Sequence, residues 1–406
     1  MISNKTLKNL ILFFLSIITL NYLIFSYRFF ERENGYILGD WLVNYNAGFV
    51  KRGFIGSIIL KINEFTGIDL KILAFYLVNS IFIFFIILFF KKLNTKNLNT
   101  IFLIMLFSPA TFLFNFYDPL AVGRKEILFL TYFMIYNYFF IDNSINIKKY
   151  IFGIFAFILT LTHEMFFLLI PFIFVAKYLR YKSFKINYYY FEIFILILSS
   201  LSIFLLIFYN QTDPETSRIL CKSLTDRNLT GDICWGIIGE FQTSHKLIIN
   251  KAFINDPLYF KLYSLYLLLI LGPIIAFLRN FLSVGFIKII FFILITLLPI
   301  IFLFLLVNDW GRYLNVFAIM WMIVFLFHLP DIKESNYTFK LNVLSAVFIV
   351  IFTSSWYMQH CCPKNFNTGF NYMYQRINFR LNDKSHETTR YGKDIIKQII
   401  LKIINY

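Results

Sequence analysis

Residues 150–176 read YIFGIFAFILTLTHEMFFLLIPFIFVA, an apolar run broken by the adjacent pair His163-Glu164. A helix needs about 20 residues to cross a hydrocarbon core. The stretch is therefore either one long tilted helix or two short ones, 150–162 and 165–176, meeting at that pair. The choice flips the topology of everything downstream. Lys5, Lys8, Lys91, Lys92, Lys96, Lys148 and Lys149 fall on the cytoplasmic side if the N-terminus is inside. Lys177, Arg180, Lys182 and Lys185 belong there too, which requires an even number of crossings between 150 and 176. With two crossings every conspicuous polar cluster lands on the extracytoplasmic face. With one, Asp309 and Arg312 move to the opposite face. The basic residues of the 210–258 loop and of the tail carry less weight, because long segments translocate largely regardless of charge. The hairpin is the expectation.

Outward from this stretch, apolar runs recur at roughly 10–27, 68–90, 99–116, 127–141, 188–209, 259–277, 286–307, 313–329 and 340–357. Of all the runs, only 150–176 reads as interrupted. Hydrophobic residues make up 59% of the 406 and charged ones 15%, against about 45–50% and about 25% in a soluble chain. The fold class expected is all-α: a polytopic transmembrane bundle of about eleven membrane segments. A soluble enzyme, a secreted disulfide scaffold, a disordered chain and an outer-membrane barrel are all excluded, the last because its strands alternate every two residues. Residues 1–357 form the membrane domain, with outer loops at 28–67 and 210–258. Residues 358–406 form an extracytoplasmic C-terminal tail with an amphipathic helix. No small-residue cleavage site follows the first apolar run, so it is expected to stay as an anchor.

The net charge of +16 suits basic loops that orient helices and contact anionic lipid; no nucleic-acid partner is expected. The excess of Phe, Ile, Asn, Lys and Tyr is what AT-rich codons produce and points to a bacterium. Four cysteines are present. Cys221 and Cys234 lie in the 210–258 loop, where an oxidising compartment would join them around Asp226, Arg227 and Asp232. Cys361 and Cys362 follow the last apolar run. No cysteine pair has zinc-ligand spacing, and neither a metal nor a cofactor is expected.

Four clusters stand out. The first outer loop runs Gly39-Asp40-Trp41-Leu42-Val43-Asn44-Tyr45-Asn46-Ala47-Gly48-Phe49-Val50-Lys51-Arg52-Gly53, followed by an amphipathic segment over 54–62. Its glycines let backbone approach a ligand. Arg52 and Lys51 suit a phosphate and Asp40 a base, whereas the bland alternative is an interfacial loop with Trp41 in an aromatic belt. Asp118, Arg124, Lys125 and Glu126 sit between two long apolar runs, where charge is costly unless paired or solvated. If a helix begins at Ile127, its N-terminus and the two cations make an anion site; the alternative is a helix start with Glu126 favourable to the dipole. His163 and Glu164 are a base or substrate ligands at a hairpin apex, or else partners for the broken backbone. Asp309 and Arg312, three apart, are a local ion pair on their own and gain weight from sharing a face with the rest. Glu31-Arg32-Glu33 recurs as a metal motif elsewhere, but on a helix flank it reads as solvated.

An acidic and basic first outer loop, about eleven segments and further charged corners on the outer side resemble bacterial membrane glycosyltransferases of the GT-C superfamily. They also resemble O-antigen and capsule repeat-unit polymerases, although the long outer loop lacks the polymerases' Arg-x10-Gly spacing. The resemblance implies glycosyl transfer from polyprenyl-(di)phosphate-linked sugars in the bacterial inner membrane, beside other polysaccharide-assembly proteins. It implies Asp40, or else Glu164 or His163, as base, and Arg52, Arg124, Lys125 and Arg312 as cations for the departing diphosphate. Trp41 and Tyr45 would stack on a sugar acceptor. Two other readings remain: a transporter or lipid-linked glycan flippase, and a nonenzymatic membrane subunit.

Overall fold

The computed structural model describes residues 2–142, 147–211, 213–241, 257–332, 340–361 and 368–369. The predicted tail helix lies outside them. Helix α1 (Asn4–Glu31) starts from Ser3, whose hydroxyl accepts the Thr6 N–H. Two short helices follow, α2 (Leu38–Leu42) and the amphipathic α3 (Gly53–Thr66). Then come α4 (Leu70–Thr95), α5 (Thr100–Leu106), the single turn α6 (Phe114–Tyr117) and α7 (Glu126–Ile135), which runs on as a π-helical turn, Tyr136–Phe140. Next are α8 (Ile147–Thr162), α9 (Met165–Tyr181) and α10 (Tyr190–Tyr209). The loop helices α11 (Pro214–Thr225) and α12 (Ile237–Glu240) precede α13 (Pro257–Asn280), α14 (Phe286–Leu306), α15 (Trp310–His328) and α16 (Val343–Ser354).

Six of these helices (α1, α4, α10, α13, α14 and α15) are long and apolar enough to cross a membrane. The protein is thus an all-helical, multi-span membrane bundle; its one described sheet is a two-residue antiparallel pairing of Ile2–Ser3 with Lys340–Leu341. Five of the six have 28–39% of their spans buried, leaving an outer face for lipid, but α15 is 94% buried. It is the axis of the core. Phe325 stacks on Phe277 and Trp321 packs edge-on to Phe172.

Polar contacts gather at two opposite ends of the bundle. At one end Lys8 donates to the Asn94 carbonyl at 2.7 Å and Lys96 pairs with Asp331 at 3.1 Å. There too Lys149 donates to the Asp142 carbonyl, while Lys177 reaches the Ile141 carbonyl and pairs with Glu192 at 3.3 Å. Residues 150–176 therefore leave from beside 141–142 and return to it. The stretch is two helices, and the backbone turns back at His163-Glu164.

A second break was not expected. The run 99–116 is not one helix: α5 ends at Leu106, before Ser108-Pro109, and the chain turns before α6. Proline cannot continue the hydrogen-bond ladder, and freed backbone groups inside a membrane protein need internal partners. Thr111 Oγ1 lies 2.7–3.0 Å from the carbonyls of Met105, Leu106 and Ser108 and shares its one proton among them, and Asn315 Nδ2 donates to the carbonyls of Ala110 and Thr111 at 2.9 and 3.0 Å. Glu33 also departs from expectation. Instead of lying solvated on a helix flank it is 4% exposed, paired with Lys71 at 3.2 Å and accepting from both the backbone and the hydroxyl of Thr230.

Candidate functional site

The other end of the bundle brings the four clusters together. Arg52 is their hub. It sits in the left-handed region (φ +67°) as the residue capping α3, a conformation that costs a non-glycine residue roughly 1–2 kcal/mol. Gly53 and Gly56 let this turn close, since a Cβ on Gly56 would lie 1.9 Å from the Val43 carbonyl. Across the site, Arg52 Nη2 donates to Glu164 Oε1 at 2.7 Å and its Nε reaches both Glu164 oxygens at 3.2–3.3 Å. Its Nη1 lies 3.5 Å from Asp40. Lys125, fully buried, stands 3.9 Å from Asp40 and donates to the carbonyls of Arg52 and Thr162 at 3.0 and 3.4 Å. One lysine thus ties the first loop, the start of α7 and the end of α8.

Glu126 begins α7 and lies between two further groups. Arg312 Nε is 3.2 Å away, oriented so that no hydrogen bond forms, and His163 Nε2 is 4.0 Å away. Arg312, in the first turn of α15, also pairs with Asp309 at 3.0 Å. Arg124 donates to the Tyr36 carbonyl. Asp40 Oδ1, both Glu126 oxygens, Arg124 Nε and Arg312 Nε are buried with no hydrogen-bond partner among the described residues. Buried polar atoms are nearly always paired, and each exception asks for an explanation. Five such atoms on four charged residues in one place mark a site.

The electrostatics assign the protons. Burial raises Asp40, but Lys125 and Arg52 outweigh it and hold the carboxyl at about 2. Burial likewise opposes ionisation of Glu164, yet Arg52 and His163 keep it well below the ordinary glutamate range. Burial, reinforced by Arg52, pushes His163 down to about 4. The ring is neutral, and its Nδ1 accepts the Met165 N–H at 3.2 Å, which leaves the proton on Nε2, facing Glu126. Glu240 shifts the other way: its burial outweighs the pull of Arg52, Arg124 and Arg312 and raises it.

Not every sequence expectation falls in this network. Trp41 cannot stack on a sugar, because it is fully buried and its indole N–H donates to the Gly123 carbonyl at 2.5 Å. It is a structural strut between the first loop and the start of α7. Tyr45 stacks on Phe49 with its hydroxyl buried, and Lys51 lies over the Phe241 ring at 5.7 Å. Asp118 is engaged away from the cations, by the backbone N–H and Nδ1 of His360 at 2.6 and 2.7 Å. Cys221 and Cys234 form a disulfide, Cα atoms 5.2 Å apart, in the loop whose Gly236 and Ile237 pack on Gly35. Glu240 and His360 were missed. Both stand in segments whose sequence reads as loop and tail, and the signals there are a lone acid in Gly-Ile-Ile-Gly-Glu240 and the run His360-Cys361-Cys362. Comparison of the chain with protein-family models, with curated proteins and with solved structures finds no match.

Proposed function

We propose that the protein is an integral membrane glycosyltransferase acting on polyprenyl-(di)phosphate-linked sugars in cell-surface polysaccharide assembly, of the O-antigen or capsule kind. The single observation that carries this reading is the convergence of buried Arg124, Lys125, Arg312, Asp40 and Glu126 with partly buried Arg52, Glu164 and Asp309, several of their atoms unpaired. Such a site suits a diphosphate leaving group, whose charge fixed cations stabilise without reorganisation. In this reading the diphosphate takes Arg52 from Asp40. With that cation engaged elsewhere, Asp40 becomes more basic and accepts the proton of the acceptor hydroxyl.

The proposed setting is the bacterial inner membrane, with about eleven segments, the N-terminus cytoplasmic, the C-terminus outside and the site facing outward. The gathering of Lys8, Lys92, Lys96, Lys149 and Lys177 at the end opposite the site supports this orientation through the positive-inside bias.

A transporter or flippase is the second reading, favoured by two observations: the additional interrupted segment at 107–113 and the buried Lys177–Glu192 pair at the far end. Transporters use broken helices near the midplane. Against it, the residues between the two ends on α7, α9 and α15 are Phe129, Phe133, Phe172, Phe317 and Trp321, all buried and packed on one another or on their neighbours. An anionic path would have to part them. The test is complementation of a deletion strain, reading lipid-linked glycan length by gel. Asp40→Asn should abolish assembly at normal expression, and Arg52→Lys should impair it because the two-nitrogen fork is lost. Arg28→Ala, whose side chain among the described residues contacts the Phe25 ring, should be tolerated. A deletion strain with unaltered glycans of every class overturns the enzyme reading.

A further inference from the structure

Beside the cation cluster, a different donor set is assembled from the start of α15 and the segment after α16. One ligand atom each from Asp309, His360 and Cys361 lie within 4.8 Å of one another, and all three residues are partly exposed. The arrangement is built rather than incidental. Gly311 N–H donates to the His360 carbonyl at 3.0 Å, and a Cβ on Gly311 would fall 1.8 Å from the Gln359 carbonyl. Only glycine lets the 359–361 backbone lie on the first turn of α15. Tyr263 fixes the same segment from α13, its hydroxyl donating to the Gln359 carbonyl at 2.9 Å.

Asp118 completes the set from a third element. Its Oδ2 accepts from His360 Nδ1 at 2.7 Å and from the His360 backbone N–H at 2.6 Å. A histidine held by a carboxylate at one ring nitrogen offers the other as a ligand, the usual support of a metal-bound imidazole. Arg312 occupies Asp309 Oδ2 at 3.0 Å, and among the described residues no contact engages Oδ1.

We propose that Asp309, His360 and Cys361 bind a divalent ion of the zinc class, with Asp118 orienting the histidine ring. Thiolate with imidazole selects zinc-like ions over magnesium or calcium, which prefer all-oxygen sets. Three protein donors leave a fourth position open, as in zinc sites that exchange a ligand. An ion there adds positive charge at the edge of the Arg124–Arg312 group. The inference does not depend on glycosyl transfer.

The experiment uses the full chain in detergent, purified through a tag without histidine, and cobalt(II) as the probe because zinc is spectroscopically silent. One cobalt per chain should bind, with a thiolate-to-cobalt charge-transfer band that zinc abolishes. Cys361→Ser should remove the band while leaving the far-ultraviolet circular dichroism unchanged. Asp118→Asn should weaken cobalt binding by about 10–100-fold. No band at saturating cobalt, a band that survives Cys361→Ser, or Cys361 found in a disulfide in protein isolated without reductant would each overturn the proposal.

Discussion

Removing the Arg52 side chain tests the logic of the polar network in isolation from any substrate. Arg52→Ala deletes the Glu164 contacts at 2.7, 3.2 and 3.3 Å and the Asp40 contact at 3.5 Å. Stripping one partner from a buried ion pair costs about 3–5 kcal/mol, because the other charge stays buried. Glu164 keeps 31% side-chain exposure and is partly rehydrated, and Asp40 keeps Lys125 at 3.9 Å. The expected loss is therefore about 2–4 kcal/mol. Neutralising the stranded acid should recover part of it, so Arg52→Ala/Glu164→Gln should regain about 1–2 kcal/mol over Arg52→Ala. Arg52→Gly removes the same contacts but also the strain at φ +67°, and should be about 1 kcal/mol more stable than Arg52→Ala. Reversible unfolding in mixed micelles, followed by circular dichroism, gives the three differences. If the double variant is no more stable than Arg52→Ala, the acids are not held by this cation and the network is misread. A loss below about 0.5 kcal/mol for Arg52→Ala would refute it equally, since that is the level of an exposed pair.

Three further outcomes follow from the same geometry. Cysteine placed at the exposed position Arg180, in a background with Cys361 and Cys362 replaced by serine, should be shielded from a membrane-impermeant thiol reagent in intact cells. One at exposed Asn228 should be labelled, and the reverse would invert the orientation. Non-reduced peptide mapping should join Cys221 to Cys234, and replacing both should cost about 3 kcal/mol for a loop of this length; finding two thiols in protein from an oxidising compartment would contradict it. His163 is held at about 4 in the fold against an ordinary 6.5, so between those values the unfolded chain binds a proton that the folded one refuses. Stability should fall as pH drops from about 6.5 to about 4 and then level off. His163→Gln should flatten that part of the profile, measured as melting temperature against pH.

Composition and apolar run length alone determine that this is a helical membrane protein, because only a helix satisfies its own backbone in hydrocarbon and it needs a minimum length to do so. The pair at 163–164 and the lysines around it also make the hairpin legible, since charge bias and helix continuity are local properties. Legible too were the four polar clusters, each a costly charge inside apolar sequence. Tertiary structure decided what each charge does. Asp40 and Glu164 read alike as bases, yet both face Arg52, which lies 12 residues from one and 112 from the other; no pattern in a single segment reports that distance. Trp41 reads in sequence as a ligand platform, whereas in the fold its indole N–H is spent on the Gly123 carbonyl. The break at Ser108-Pro109 is tolerated because Asn315, two hundred residues away, supplies the missing donors. The burial of α15, the least apolar of the six long helices yet enclosed by its neighbours, likewise depends on which helices surround it. Length and polarity are written along the chain, whereas pairing and enclosure arise only when distant segments meet.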